Sequence, residues 1–361
     1  MHNYHQKKEF SNRQQYESKL EELPGFIRAF LRSKEQDYQV QTLLAYCQDY
    51  IHFLYFLLQT NSTLQNREIS GIGEIDLDVF RQLTSEDLEE YRVYLTSYSI
   101  MNEDGEIQNF TNSETSIKRK MASLNGLFRY LYLKKRISEN PMERIERPKN
   151  RNDHSARYLE IEDVKLLMDS VAAGSAEYAS DRQLKYLLKT KERDLAIFTL
   201  LLHTGLRVSE CVGLDLDDIS FDRREIQIQN PDGSRDLLYM NETTLSALQN
   251  YVYGARKAIL PAEGHEKALF LSSMKGKRLC VKAVENMVKK YGQYTGMPIK
   301  ITPHSMRKTY GTQLYERTGD LKAVQQQLRH KCIDTTSRFY VGDSAQRKRQ
   351  IAEIDLYGDE E

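Results

Sequence analysis

Apolar residues recur at helical spacing through roughly the first 140 positions. Between Gln39 and Leu58, the residues Leu43, Leu44, Cys47, Ile51, Leu54 and Leu58 fall near a 3.6-residue period and predict one buried helical face. Further on, "SEDLEEYRVYLTSY" follows Thr84. Thr84 and Asp87 have the spacing of a capping box, with Asp in place of the usual Glu or Gln. In "SIKRKMASLNGLFRYLYLKKR", Ile117, Met121, Leu124, Phe128 and Leu131 share a face. The other faces carry Lys118, Arg119, Lys120 and Arg129. Such a charge run is ordinarily a solvated face; its alternative is a face turned to nucleic acid. The segment before Gln39 has no clear pattern.

The second half alternates between periods. "IEDVKLLMDSV" reads as a helix, and "KERDLAIFTLLLHTG" as a buried helix closed by Gly205 as C-cap. "EIQIQNPDGSRDLLYM" alternates apolar and polar residues on both sides of "NPDG", which predicts a hairpin. "TLSALQNYVYGAR", "VKAVENMVKKYGQYTG", "HSMRKTYGTQLYERTG" and "DLKAVQQQLRH" read as helices, and "ALFLS" as a short strand. Between the halves, "ENPMERIERPKNRNDHSARYL" has two prolines, many charges and few large apolar residues, as linkers do. Its Arg144, Arg147, Lys149 and Arg151 would suit a phosphate backbone. The expected organisation is a helical domain over 1–145, a linker over 146–157, an α+β domain over 158–345 and a tail over 346–361. The fold class is mainly α with a small antiparallel sheet.

Charge and composition narrow the picture. Lys plus Arg equals Asp plus Glu, 52 of each, so any basic surface is local rather than global. The opening "MHNYHQKKEF" lacks the apolar core of a secretory signal, and "YIHFLYFLL" is too short to span a bilayer. Cys47, Cys211, Cys280 and Cys332 lack zinc-ligand or redox spacing. The expectation is a cytoplasmic protein with reduced thiols, without membrane insertion, metal or cofactor.

Three segments carry candidate chemistry. In "HTGLRVSECVGLDLDDI", the Thr204-Gly205 turn sets Arg207 at the start of the next helix, where a guanidinium and free N–H groups suit a phosphate. The ordinary alternative is an ion pair with Glu210. In "TPHSMRKTYGT", Pro303 marks a helix start, and His304 and Arg307 share a face. In "LRHKCIDTTSRFYVGD", His330 follows a helix end, and Tyr340 comes ten positions later.

In this order, Arg, His-x-x-Arg, His and Tyr resemble the tyrosine recombinase family, and "NPMERIERPK" resembles its interdomain linker. The resemblance covers the second half well and the first more loosely, and it is greatest to the longer Xer-type single recombinases of Gram-positive bacteria that resolve chromosome dimers. It implies a SAM-like helical core-binding domain and a catalytic domain gripping DNA as a C-shaped clamp. It implies a tetramer on two duplexes, a C-terminal segment exchanged between protomers, and a DNA translocase partner. Tyr340 would attack the scissile phosphate to give a 3′-phosphotyrosine and a 5′-hydroxyl. Arg207 and Arg307 would clamp the phosphate, His304 would accept the tyrosine proton, and His330 would hydrogen-bond the phosphate or assist proton transfer. No metal or high-energy cofactor is needed. Lys118, Arg119, Lys120, Arg147 and Lys149 become DNA-binding candidates.

The chain departs from the family pattern at three places. The hairpin has no lysine to serve as general acid. Pro231 occupies its usual place and Arg235 is the nearby cation, a poor proton donor. Arg329 stands where a glycine usually precedes the second histidine. Phe339 stands where many members have the tyrosine, with Tyr340 one place later as in the longer single recombinases. The alternatives are a mobile-element integrase of the same chemistry, a recombinase relative that binds its site without cutting, and a type IB topoisomerase.

Overall fold

The computed structural model describes residues 4–65, 69, 71–101, 106–145, 158–174, 179–230, 233–297 and 300–330. The sequence expectations for the linker, Pro231, Phe339, Tyr340 and the C-terminal tail lie outside these residues. The chain divides into two compact units, Met1–Arg151 and Asn152–Glu361.

The first unit contains α1 (Tyr4–Glu21), α2 (Gly25–Ser33), α3 (Val40–Thr60), α4 (Ser62–Gln65), α5 (Leu77–Gln82), α6 (Ser85–Tyr94) and α7 (Glu114–Leu133). Of the stripe expected on α3, Leu43, Leu44, Cys47 and Leu54 are buried and Ile51 and Leu58 partly buried; with Tyr50, Phe53 and Phe56 they share one core with Leu124, Leu127 and Phe128 of α7. The hydroxyl of Tyr50 donates to the carbonyl of Ser123 at 2.9 Å and ties these helices together. Thr84 and Asp87 form the expected capping box: the Asp87 N–H donates to the Thr84 hydroxyl at 3.3 Å, and the Thr84 N–H donates to the Asp87 carboxylate at 2.7 Å.

Two features correct the sequence reading here. The patternless start forms α1 and α2, which bury Tyr16, Leu20, Ile27, Phe30 and Leu31 in the same core. The unit also holds a hairpin, β1 (Ser97–Met101) paired antiparallel with β2 (Ile107–Thr111) from Ser97↔Thr111 to Met101↔Ile107. Every residue of β2 is exposed, so no buried face imprints an apolar alternation on its sequence. Cross-strand stacking supports the pairing instead: Tyr98 stacks on Phe110 at 5.4 Å between centroids, and on Tyr94 of α6 at 5.2 Å.

The second unit contains α8 (Ile161–Ala173), α9 (Asp181–Thr204), α10 (Val208–Gly213), α11 (Glu242–Tyr253), α12 (Val281–Tyr294), α13 (Pro303–Thr318) and α14 (Leu321–Leu328). Its sheet is antiparallel, with order β3 (Ile219–Ser220), β4 (Glu225–Gln229), β5 (Arg235–Tyr239). The expected hairpin forms with Gln229 opposite Arg235, and Ile226, Ile228 and Leu238 are buried. α9 is the spine, and α8, α11 and α13 pack around it.

The expected strand at "ALFLS" is absent. Residues 268–271 are fully buried but make only isolated bridges, Asp215↔Ala268 and Leu271↔Arg278. Buried arginines take up their carbonyls in place of a ladder. Arg256 donates to Ala268, and Arg193 donates to Leu271 at 3.2 Å. Arg193 is itself paired with buried Asp194 at 2.7 Å. Satisfying each buried group in this way avoids the cost of leaving it without a partner. Among the described residues, no helix is long and apolar enough to cross a membrane.

Candidate active site

α9 ends where Gly205 turns left-handed, at φ +64 and ψ 25. A Cβ there would lie 2.6 Å from Tyr310 Cδ1 and 2.7 Å from Leu328 Cδ2, so the position requires glycine on both backbone and packing grounds. The turn places Arg207 as N-cap of α10. Its N–H donates to Glu210 Oε2 at 2.8 Å and its Nη1 donates to Glu210 Oε1 at 2.6 Å. The bland expectation of an ion pair with Glu210 therefore holds, yet the Arg207 side chain keeps 43% exposure. Both features coexist: the guanidinium is anchored from behind and open in front.

α13 starts as its sequence predicts, with Thr302 as N-cap and Pro303 in the first turn. His304 lies exposed in that first turn, and Arg307 follows on the buried side at 5% exposure. Arg307 Nη1 donates to the carbonyl of Gly205, and Nη2 donates to the carbonyl of Leu328. These are C-terminal carbonyls of α9 and α14, groups that a helix cannot satisfy internally. One guanidinium thus joins three helices. α14 packs through Val324 and Leu328 against Tyr310 and Tyr315 of α13.

The second histidine follows directly. Arg329 caps α14 in the left-handed region, at φ +53 and ψ 49. The His330 N–H then donates to the Gln325 carbonyl at 3.1 Å. The Arg329 carbonyl accepts from Arg207 Nη2 at 3.1 Å, and Arg329 Nη2 donates to Glu210 Oε2 at 2.6 Å. Arg207, Arg307 and His330 therefore meet where α9, α13 and α14 end or begin, and His304 lies one turn from Arg307.

Electrostatics sets the protonation states. Burial lowers the pKa of His330 to about 4, helped by Arg307, Arg207, Arg329 and His304. Partial desolvation, followed by Arg307 and Lys308, also holds His304 below the ordinary histidine range. Both shifts favour the neutral imidazole near pH 7. Burial raises the Glu210 pKa, but Arg329 and Arg207 more than offset it, leaving the carboxyl below its usual range.

The other sequence candidates lie elsewhere. Arg235 begins β5, exposed, with Nη1 3.3 Å from Gln227 Oε1. Lys275 and Lys277 are exposed on the turn around Gly276. In the first unit, Lys118 lies 4.0 Å from Glu114. Arg119 donates twice to buried Asp49 at 2.6 Å, and Lys120 lies 3.7 Å from the same carboxylate. Sequence reasoning missed the buried carboxylate that organises this charge run. It also missed Arg329 as a structural partner of Arg207. The signal for the latter was present, since an arginine in a glycine place demands a compensating contact. Among the described residues, no group of three His, Cys, Asp or Glu side chains could hold a metal.

Comparison with known proteins gives the family. The model of the phage integrase family matches residues 159–347. The chain is 32% identical over 335 residues to the tyrosine recombinase XerS of Streptococcus agalactiae serotype III (strain NEM316), covering 88% of this chain and 91% of the relative. It is 30% identical, with the same coverage, to the tyrosine recombinase XerS of Streptococcus thermophilus (strain CNRZ 1066). Among solved structures, the Tn1549 transposon integrase in complex with circular intermediate DNA superposes with a TM-score of 0.60 at 21% identity, covering 92% of this chain and all of that one. The fold is thus shared at low identity, and the sequence relation to the XerS proteins spans both units. The chain belongs to the phage integrase family and is a tyrosine recombinase of the Xer type.

Proposed function

We propose that the chain cuts and rejoins DNA at a specific site through a covalent phosphotyrosine, with Tyr340 as the nucleophile. The observation that carries this reading is the convergence of Arg207 and Arg307 with two neutral histidines at the junction of three helices. The proposed chemistry balances without a cofactor. The Tyr340 phenol gives its proton to His304, its oxygen bonds to phosphorus, and the bond from phosphorus to the 5′-oxygen breaks. The guanidinium of Arg207 faces the developing phosphorane charge, and His330 hydrogen-bonds it. Arg307 lies deeper and supports both the charge and the frame. The hairpin supplies no lysine, so the leaving 5′-oxygen takes its proton from solvent water, and Arg235 stabilises the departing oxygen as a cation.

The likeness to XerS proteins supports chromosome-dimer resolution as the biological role. That role brings with it a tetramer on two duplexes, a DNA translocase partner and a cytoplasmic location. In this reading residues 1–145 bind the DNA core site, 158–345 catalyse and 346–361 exchange between protomers. Lys118, Arg119, Lys120, Arg147 and Lys149 are its DNA-contact candidates.

Nicked half-site DNA tests the reading. The wild-type chain is expected to form a covalent adduct that survives denaturing electrophoresis and vanishes in Tyr340→Phe. Tight binding without an adduct would refute it and favour a recombinase relative that only binds, a reading motivated by the lysine-free hairpin. A substrate with a 5′-bridging phosphorothioate needs no general acid. It is expected to react faster than normal DNA if proton donation limits cleavage.

A further inference from the structure

Arg329 occupies a backbone position that side chains rarely tolerate. It caps α14 at φ +53, in the region that glycine enters without strain. A glycine there would give the same turn and the same carbonyl to Arg207. What arginine adds is a second cation on Glu210. The two oxygens of Glu210 divide between two guanidinium groups: Oε1 accepts from Arg207 Nη1 at 2.6 Å and Oε2 from Arg329 Nη2 at 2.6 Å. Oε2 also accepts the Arg207 N–H. Glu210 is buried and cannot reorient toward water, so its plane, and with it the direction of the Arg207 fork, depends on both partners. Arg329 is further held by its Nη1 donating to the Gln327 carbonyl at 3.2 Å, with its Nε 3.8 Å from Asp236 of β5. Its side chain is only 10% exposed, against 43% for Arg207, so it is poorly placed to touch a phosphate itself.

We propose that Arg329 is a positioning residue for strand cleavage, orienting the Arg207 guanidinium by sharing the Glu210 carboxylate with it. The inference rests on the functional reading above, in which Arg207 clamps the scissile phosphate. With glycine at 329 the fork of Arg207 would keep its link to Glu210 and to the residue 329 carbonyl, but Glu210 would lose the second cation that fixes its plane. A misplacement of about 1 Å in such a group can cost roughly 100-fold in rate.

The test uses the full chain in single-turnover adduct formation at saturating half-site DNA. Arg329→Gly keeps the left-handed turn and removes the guanidinium. Its rate constant is expected to fall by about 10- to 100-fold while Kd and the salt dependence of binding stay unchanged. Arg329→Lys restores the charge without the fork and is expected to recover part of the loss. Should Arg329→Gly fail to fold, Arg329→Asn, whose side chain tolerates the left-handed region, takes its place. A wild-type rate in Arg329→Gly would overturn the inference. So would a weakened Kd with the log–log salt slope reduced by about one, the mark of a lost phosphate contact. A second readout is independent of activity: the Nε–H signal of Arg207 in 15N-arginine-labelled protein should be ordered in the wild type and motionally averaged in Arg329→Gly. Absence of any wild-type adduct would overturn the functional reading, and the Arg207 signal would still decide whether Arg329 holds that side chain.

Discussion

Replacing Gly205 with alanine should damage stability and catalysis together, and the structure separates the two causes. The first is conformational. An L-residue at φ +64 and ψ 25 costs about 1–2 kcal/mol. The second is steric. The new methyl would lie 2.6 Å from the Tyr310 ring and 2.7 Å from Leu328, so both must shift. Overpacking of this kind costs roughly 1–3 kcal/mol. The expected loss is on the order of 2–5 kcal/mol, read from the urea midpoint at unchanged slope. Gly319 supplies the control. It caps α13 at φ +67 with nothing within 4 Å of its would-be Cβ, so Gly319→Ala should lose only the conformational part, about 1–2 kcal/mol. The catalytic consequence follows from Arg307, which donates to the carbonyls of Gly205 and Leu328. Both carbonyls move when the methyl pushes Leu328 away. Adduct formation by Gly205→Ala, measured well below its unfolding transition, should therefore slow by at least about tenfold. Equal stability losses in the two glycine variants, or a wild-type adduct rate in Gly205→Ala, would refute the reasoning.

Three further outcomes are expected. Arg207→Ala should lower the single-turnover adduct rate by about 10²–10³ with little change in thermal midpoint, because its side chain is half exposed; Arg307→Ala should lose both rate and stability, because it is buried among carbonyls. Asp49→Asn should destabilise the first unit by roughly 1–3 kcal/mol in urea titrations, since the paired bonds from Arg119 weaken inside a buried site. The pH dependence has a definite sign. His330, and His52 of α3 beside the Tyr91 hydroxyl, are both held near 4 by burial, while the unfolded histidines titrate near 6.5, so the unfolded chain takes up protons first on acidification. Stability should be complete above about pH 6.5 and decline toward pH 4, by up to about 1.4 kcal/mol per pH unit for each histidine, and His330→Gln should flatten the slope.

Local rules reached far in this chain. Gly205, the Thr84–Asp87 box, the Pro303 start of α13 and the β4–β5 hairpin are all legible because each depends on residues within a few positions. The β1–β2 hairpin was not legible, because both its faces meet solvent and leave no burial pattern. The strand expected at 268–272 failed because Arg193 and Arg256, distant in sequence, take the carbonyls that a neighbouring strand would have used. The role of Asp49 was hidden for the same reason. One carboxylate in α3 decides what Arg119 and Lys120 of α7 face, and Asp49 and Arg119 are 70 residues apart. At the site, the sequence placed Arg207, His304, Arg307 and His330 in order, but the sharing of Glu210 by two arginines is a property of the folded chain alone.

The contacts of Arg307 also say when the site can exist. Its partners lie 102 residues before it and 21 residues after it. Loops of that length close late and at an entropic cost that local helices do not repay. A chain still folding, or locally opened, lacks the rigid junction that Arg307 makes between these helices. In the proposed reading, competence to cut is therefore withheld until the second unit is complete, and the guanidinium of Arg307 serves as the check that folding has finished.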